Sequence, residues 1–142
     1  MDSTTRYEMP MQREIIHQLE GDLKSIGFSP EKTTIDYVSY LERVSDSEDL
    51  AVILSTMAPC PWTYNEISLE LVSKDIKSEI FKQWLRFYSS KEPGNQVIEI
   101  KQLLDRFAMN SEEKKKVDMK NHFSISCNYE IEFWNMAYSY KS

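Results

Sequence analysis

Apolar residues recur every three or four positions along most of the chain, which is the spacing that places side chains on one face of an α-helix. The first run is predicted to end at Gly27, because glycine commonly closes a helix and Pro30 follows in the loop. Its apolar positions are Ile15, Ile16, Leu19, Leu23 and Ile26.

A second helix is predicted over residues 34–44, with Tyr37, Tyr40, Leu41 and Val44 on its apolar side. Asp46 or Ser47 is then expected to cap a third helix, since short polar side chains can accept the free N–H groups of a first turn. The apolar positions of that third helix are Leu50, Ile53, Leu54 and Met57.

Two prolines, Pro59 and Pro61, interrupt this pattern on either side of Cys60. Proline inside a helix removes a backbone donor and clashes with the preceding turn, so the helix must kink or restart here. Helical spacing resumes over residues 62–72 and again over residues 76–88, where Ile80, Trp84 and Tyr88 recur every four positions.

The last third of the chain is also predicted to be helical. Pro93 and Gly94 indicate a turn, residues 97–107 a helix, and Asn110 with Glu113 a capping signature. The helix that follows could run to the chain end. Its candidate buried residues are Phe123, Ile125, Tyr129, Phe133, Met136 and Tyr140.

These elements predict an all-α protein forming a single domain over residues 1–142, with residues 1–10 expected to be flexible. The chain has 142 residues, an apolar fraction of 41% and a charged fraction of 28%, as in a globular domain. No internal repeat or linker divides it. Only three glycines occur, which argues against a Gly-rich phosphate-binding loop and against a many-stranded β fold.

Charge and composition exclude several function classes. The net charge of −6 disfavours binding to nucleic acid, and Lys114–Lys116 reads as a solvated helix face. No apolar run is long enough to span a membrane, and the first residues lack the apolar core of a secretory signal. With two cysteines and no disulfide framework, a cytoplasmic location is expected. His17 and His122 lack partners at metal-ligand spacing, so no metal is expected.

Cys60 is the first candidate for chemistry. A helix that restarts beside it would direct free N–H groups toward the sulfur, which lowers a thiol pKa and favours the nucleophilic thiolate. Considered alone, the residue is better explained as a buried structural thiol. Tyr64 follows one helical turn later and could hydrogen-bond the sulfur, or it could be an ordinary core tyrosine.

Glu130 is the second candidate, because it lies in an aromatic stretch near Phe123 and Phe133. A carboxyl group enclosed by aromatic rings has a raised pKa and can act as a general acid or base near neutral pH. A solvated helix acid is an equally good reading. Cys127, one turn earlier, could approach the same group, although a small apolar filler is the better reading.

Four stretches, residues 33–41, 57–66, 84–90 and 129–138, together resemble the TenA family, whose members include thiaminase II, or aminopyrimidine aminohydrolase. The order of the motifs and the separations between Tyr37, Cys60, Tyr88 and Glu130 are similar to those of the family. The resemblance begins at about Glu14 and covers nearly all of the chain after it.

The resemblance implies a compact helical bundle of the haem-oxygenase-like type, acting as a homo-oligomer. It implies hydrolysis of 4-amino-5-aminomethyl-2-methylpyrimidine or of thiamin, giving a hydroxymethylpyrimidine for thiamin salvage. It implies no metal and no organic cofactor.

The residue roles implied by the resemblance are specific. Cys60 matches the family's nucleophile, Glu130 its acid/base, and Tyr64 the residue that orients the thiolate. The remaining matches are to pocket residues that bind the substrate: Tyr37, Tyr88 and Phe133.

Complete family members carry helices before the segment that corresponds to Glu14, and those helices supply an aspartate that binds the aminopyrimidine. No residue of this chain matches that aspartate. Without those helices, apolar faces would be exposed, so we expect the chain to associate with another copy, as a dimer or tetramer, or with a complementing subunit. The alternatives are a non-catalytic pyrimidine-binding or assembly subunit, and a helical protein of unrelated activity with Cys60 in its core.

Overall fold

The computed structural model describes residues 4–19, 29–47 and 49–139. In these ranges a short π-helical segment, Thr4–Glu8, precedes seven α-helices and there is no strand. The helices are α1 Met9–Gln18, α2 Lys32–Ser47, α3 Leu50–Met57, α4 Pro59–Leu71, α5 Glu79–Tyr88, α6 Lys91–Met109 and α7 Glu113–Ser139. The all-α prediction is confirmed. The predicted positions Leu23, Ile26, Gly27 and Tyr140 lie outside the described residues.

The chain divides into two compact units. The first comprises Met1–Ser29 and Tyr64–Asn95, and the second comprises Pro30–Thr63 and Gln96–Ser142. The boundary falls within α4 and α6.

The second unit has its core where α2, α3 and α7 pack together. Predicted apolar positions of α2 contribute to it, since Tyr40 and Val44 are both buried. The whole buried cluster is Tyr40, Val44, Ala51, Val52 and Met119. Side chains of α6, among them Leu104 and Phe107, cover its margin.

The first unit is built around aromatic rings of α4 and α5. Tyr64 lies edge-on to Tyr88 with ring centroids 5.2 Å apart, and Trp84 lies 4.6 Å from Tyr88. The buried Asn65 side chain donates to the Tyr88 carbonyl at 2.8 Å. The first unit contains α4 from Tyr64 onward, so this hydrogen bond joins that part of α4 to the last residue of α5.

The helix that contains Cys60 begins three residues earlier than the spacing over residues 62–72 predicted. Pro59 is the first residue of α4, so Pro59 and Pro61 both lie in its first turn. Backbone N–H groups at these positions have no intrahelical acceptor, so a proline there costs no hydrogen bond. Ala58 keeps helical dihedral angles, and its carbonyl accepts from Trp62 N–H at 3.3 Å. Cys60 therefore lies in the first turn of α4, as the dipole argument requires.

Three local predictions are wrong, and the first two concern helix caps. Asp46 and Ser47 belong to α2, and the cap of α3 is Asp49, whose carboxylate accepts from Val52 N–H at 3.1 Å. Asn110 does not open α7; its side-chain amide donates to the Arg106 carbonyl at 2.7 Å and closes α6.

The third wrong prediction is the turn at Pro93 and Gly94. Both residues lie inside the first turns of α6, which begins at Lys91. Proline is the third residue of that helix, a position whose N–H has no intrahelical acceptor, so its ring costs no hydrogen bond.

Replacing Asp49 by alanine is expected to lower the free energy of unfolding by about 1 kcal/mol, because the cap of α3 is lost. The same carboxylate forms an ion pair with Lys115 of α7, which adds little at an exposed position. Asp46→Ala is the matched control and should be nearly neutral. Denaturant unfolding of both variants measures the difference, and equal losses would contradict the assignment of the cap.

Candidate active site

A buried carboxyl group, Glu130, is the centre of the candidate site in the second unit. Glu130 is only 4% exposed, whereas Glu132 is exposed. The sequence left both readings of Glu130 open, and the structure places it in the interior. Helical spacing explains the placement, because the buried residues of α7 are Met119, Ser126 and Glu130, seven and then four positions apart.

Among the described residues, two side chains donate hydrogen bonds to Glu130. The Tyr37 hydroxyl donates to Glu130 Oε1 at 2.8 Å, and the Cys60 thiol also hydrogen-bonds to the carboxyl group. Tyr37 comes from α2, Cys60 from α4 and Glu130 from α7, so three helices supply one cluster. The Tyr37 ring stacks nearly parallel on Tyr129, with centroids 5.1 Å apart, which fixes the direction of its hydroxyl.

Burial raises the pKa of the Glu130 carboxyl above its ordinary value, because ionisation is unfavourable away from water. The hydrogen bonds from Tyr37 and Cys60 act in the opposite direction by stabilising the carboxylate. Burial, together with the hydrogen bond to Glu130, raises the pKa of the Tyr37 phenol. Tyr37 therefore stays protonated at neutral pH and serves as a donor.

The second cysteine, Cys127, has a different environment. Burial raises the pKa of its thiol, and the charge of Glu130 raises it further. These effects disfavour thiolate at Cys127, which makes it the natural control for any role of Cys60.

Two further polar groups of this cluster were missed from the sequence. Ser126 is fully buried one turn before Glu130, and within the described parts of the chain its Oγ has no partner in hydrogen-bond geometry. Tyr40, assigned only to the core, has its hydroxyl 2.7 Å from His122 Nδ1. The four-residue spacing from Glu130 could have identified Ser126, but nothing local distinguishes Tyr40 from a core tyrosine.

The other predicted site residues are divided between the two units. Tyr64 and Tyr88 belong to the first unit, and the predicted hydrogen bond from Tyr64 to the Cys60 sulfur stays a prediction. Phe133 is half-buried in the second unit, with its ring 6.5 Å from that of Trp134.

The first unit contains an acid that the sequence did not single out. The Tyr88 hydroxyl donates to Glu8 Oε1 at 2.6 Å, and Gln12 donates to the same tyrosine oxygen at 3.2 Å. Tyr88 itself is buried, and burial together with the bond to Glu8 raises the pKa of its phenol. Sequence position gave no signal for Glu8, since it precedes the stretch in which the resemblance was detected.

No cluster of three His, Cys, Asp or Glu side chains suited to a metal ion occurs in residues 4–19, 29–47 and 49–139. Within the same ranges, no helix is long and apolar enough to cross a membrane.

Comparison with known families places the chain directly. The model of the TENA/THI-4/PQQC family matches residues 6–140. This chain belongs to the TENA/THI-4/PQQC family. The match begins before Glu8 and so includes the segment that carries this acid, whereas the motifs in the sequence identified the resemblance only from about Glu14 onward.

Two curated relatives illustrate the similarity. An aminopyrimidine aminohydrolase from Bacillus subtilis is 35% identical over 136 residues, which is 95% of this chain and 58% of the relative. An aminopyrimidine aminohydrolase from Halalkalibacterium halodurans is 28% identical over 142 residues, which is 98% of this chain and 63% of the relative. The chain thus spans about three fifths of the length of these relatives.

A solved structure supports the fold. A TenA homologue protein from P. horikoshii OT3 superimposes with a TM-score of 0.84 at 21% identity, covering 96% of this chain and 63% of that chain. At this level of identity the likeness concerns the fold alone, and it agrees with the TenA-type helical bundle that the resemblance implied.

The raised pKa of Glu130 has a consequence for stability. An acid with a higher pKa in the folded than in the unfolded chain holds its proton more tightly when folded, so its ionisation destabilises the fold. This cost is absent below the ordinary value of 4.5 and grows as the pH rises through the raised value.

Glu130→Gln removes this cost while keeping an oxygen that can accept from Tyr37. We therefore expect the free energy of unfolding of the wild type, minus that of the variant, to fall as the pH rises above the ordinary value of 4.5. The exposed Glu132→Gln is the matched control and should show no such trend. Denaturant unfolding at several pH values provides the measurement, and a difference that rises with pH would refute the burial argument.

Proposed function

We propose that this chain takes part in the hydrolysis of 4-amino-5-aminomethyl-2-methylpyrimidine, or of thiamin, with Cys60 as the nucleophile and Glu130 as the acid/base. The observation that carries the proposal is the hydrogen-bonded cluster of Cys60, Tyr37 and the buried Glu130. The names of the curated relatives support the same reaction class.

The cluster suits activation of the thiol. Because the Cys60 thiol hydrogen-bonds to Glu130, its proton can pass to the carboxylate, leaving a thiolate beside a protonated acid. Burial favours the protonated form of Glu130, and the position of Cys60 in the first turn of α4 favours the thiolate. Transfer of the proton from Cys60 to Glu130 therefore leaves the thiolate and the protonated carboxyl group, which are the forms that their surroundings stabilise.

The proposed reaction then proceeds in balanced steps. The thiolate forms a C–S bond to the pyrimidine ring while a ring nitrogen gains a proton. The electron pair returns through the ring and breaks the bond between the exocyclic carbon and the amine or thiazole. The protonated amine leaves as ammonia, or the thiazole leaves as its neutral ring. Water adds to the exocyclic carbon and gives a proton to the Glu130 carboxylate. The C–S bond then breaks as the ring nitrogen releases the proton that it gained, which restores the aromatic ring and the thiolate.

The remaining predicted residues have supporting roles in this proposal. Tyr37 holds the carboxyl group in place, and Phe133 provides an aromatic wall beside the substrate ring. Tyr64 orients the thiolate, and Tyr88 binds the ring. None of these steps calls on a metal or an organic cofactor.

Association with another copy, or with a complementing subunit, is also part of the proposal. Several apolar side chains of the second unit are about half exposed, among them Ile35 and Val38 on α2 and Ile131 on α7. Ile35 and Val38 are three positions apart and so share one face of their helix. Such a face is better covered than left in water.

Ammonia release from the aminomethylpyrimidine tests the enzymatic proposal. Cys60→Ala should reduce the rate by at least about a hundredfold, because the covalent route is lost, whereas Cys127→Ala should keep most of it. Circular dichroism of both variants controls for folding. Equal rates in the wild type and Cys60→Ala, including zero in both, would contradict the proposal, and binding without turnover would favour the non-catalytic pyrimidine-binding subunit.

A further inference from the structure

Three residues of the first unit form a polar cluster, of which the proposed function uses only Tyr88. Glu8 closes the π-helical segment, Gln12 lies one turn later in α1, and Tyr88 is the last residue of α5. The Tyr88 hydroxyl donates to Glu8 Oε1 at 2.6 Å, and Gln12 Nε2 contacts Glu8 Oε1 at 3.3 Å and the Tyr88 oxygen at 3.2 Å.

The direction of these bonds determines what Tyr88 can offer to a ligand. A phenol has one proton, and the proton of Tyr88 is directed to Glu8. The Tyr88 oxygen can then only accept, as its contact with Gln12 Nε2 illustrates. Burial raises the pKa of this phenol, so the proton remains in place at neutral pH.

The carboxylate of Glu8, like the Tyr88 oxygen, can only accept hydrogen bonds. Both of its bonds in the described structure use Oε1, which leaves Oε2 without a partner among the described residues. Glu8 is half-buried, so this oxygen is less hydrated than one on a fully exposed acid. A carboxylate oxygen next to a phenol that can only accept is complementary to an N–H donor, and best to a cationic one.

We propose that Glu8 is a specificity-determining residue that fixes Tyr88 as an acceptor and selects ligands carrying a protonated amine. The inference rests on the proposed function and adds a substrate preference to it. The favoured ligand is the aminomethylpyrimidine, whose side-chain amine is protonated at neutral pH. The hydroxymethyl product carries an uncharged hydroxyl at the same position and is bound less tightly.

The chain provides a close control for this residue. Glu14 accepts a hydrogen bond from Gln18 at 3.1 Å across the same four-residue spacing that joins Glu8 and Gln12. Glu14 is exposed. Glu8→Gln and Glu14→Gln therefore make the same chemical change in a glutamate–glutamine pair with the same four-residue spacing. Only Glu8 contacts Tyr88.

The experiment measures the dissociation constants of the aminomethyl and hydroxymethyl pyrimidines by calorimetry for the wild type and both variants at neutral pH. The wild type should prefer the aminomethyl compound, and Glu8→Gln should reduce this preference by at least about tenfold, since a charge-assisted hydrogen bond becomes neutral. Glu14→Gln should retain it.

Three results would overturn the inference. Glu8→Gln could weaken both ligands by the same factor, which would assign Glu8 a purely structural role. Glu8→Gln and Glu14→Gln could change the preference equally, which would reduce the effect to net charge. The wild type could bind neither compound, which would also remove the proposed function; in the first two results wild-type binding persists, so the two failures are distinguishable.

Discussion

The hydrogen bond from the Tyr37 hydroxyl to the buried Glu130 carboxyl is the interaction on which the candidate site depends. A carboxylate without partners in a protein interior costs several kcal/mol, so it must be neutralised or given donors. Tyr37 and Cys60 provide those donors, but burial still dominates and the pKa of the carboxyl stays raised. The result is a carboxyl group that holds its proton more tightly than a solvated glutamic acid does.

The fold supplies this arrangement through ordinary helix packing. The packing of α2 and α3 against α7 surrounds the buried face of α7, and Glu130 lies on that same face. Stacking of Tyr37 on Tyr129 then leaves its hydroxyl little freedom of direction. The aromatic residues around the site therefore belong to the core and also hold a polar group in place. For this reason the sequence alone did not decide whether Glu130 is buried or solvated.

Much of this was predictable from the spacing of apolar residues. The four-residue rhythm of α2 and α7 identified helices whose inner faces are now seen to carry Tyr37 and Glu130. The restart at Pro59 followed from the missing N–H of proline, and it explains why Cys60 lies in a first turn.

Other features could not be read from local sequence. Asp46 and Asp49 are both good caps, and only the packed structure decides that α2 extends far enough to include the first. Pro93 and Gly94 indicate a turn in isolation, yet they are tolerated in the first turns of α6. The Glu8 contact joins residues that are far apart in the chain, so no spacing rule points to it.

The protonation of Glu130 can be followed directly by carbon-detected nuclear magnetic resonance of protein labelled at its glutamate carboxyl carbons, with the signal assigned by its loss in Glu130→Gln. The titration midpoint in the wild type should lie above the ordinary value of 4.5, and it should rise further in Tyr37→Phe because the hydrogen bond that stabilises the carboxylate is lost. A midpoint at or below 4.5, or one that Tyr37→Phe leaves unchanged, would contradict a buried carboxyl group held by the tyrosine.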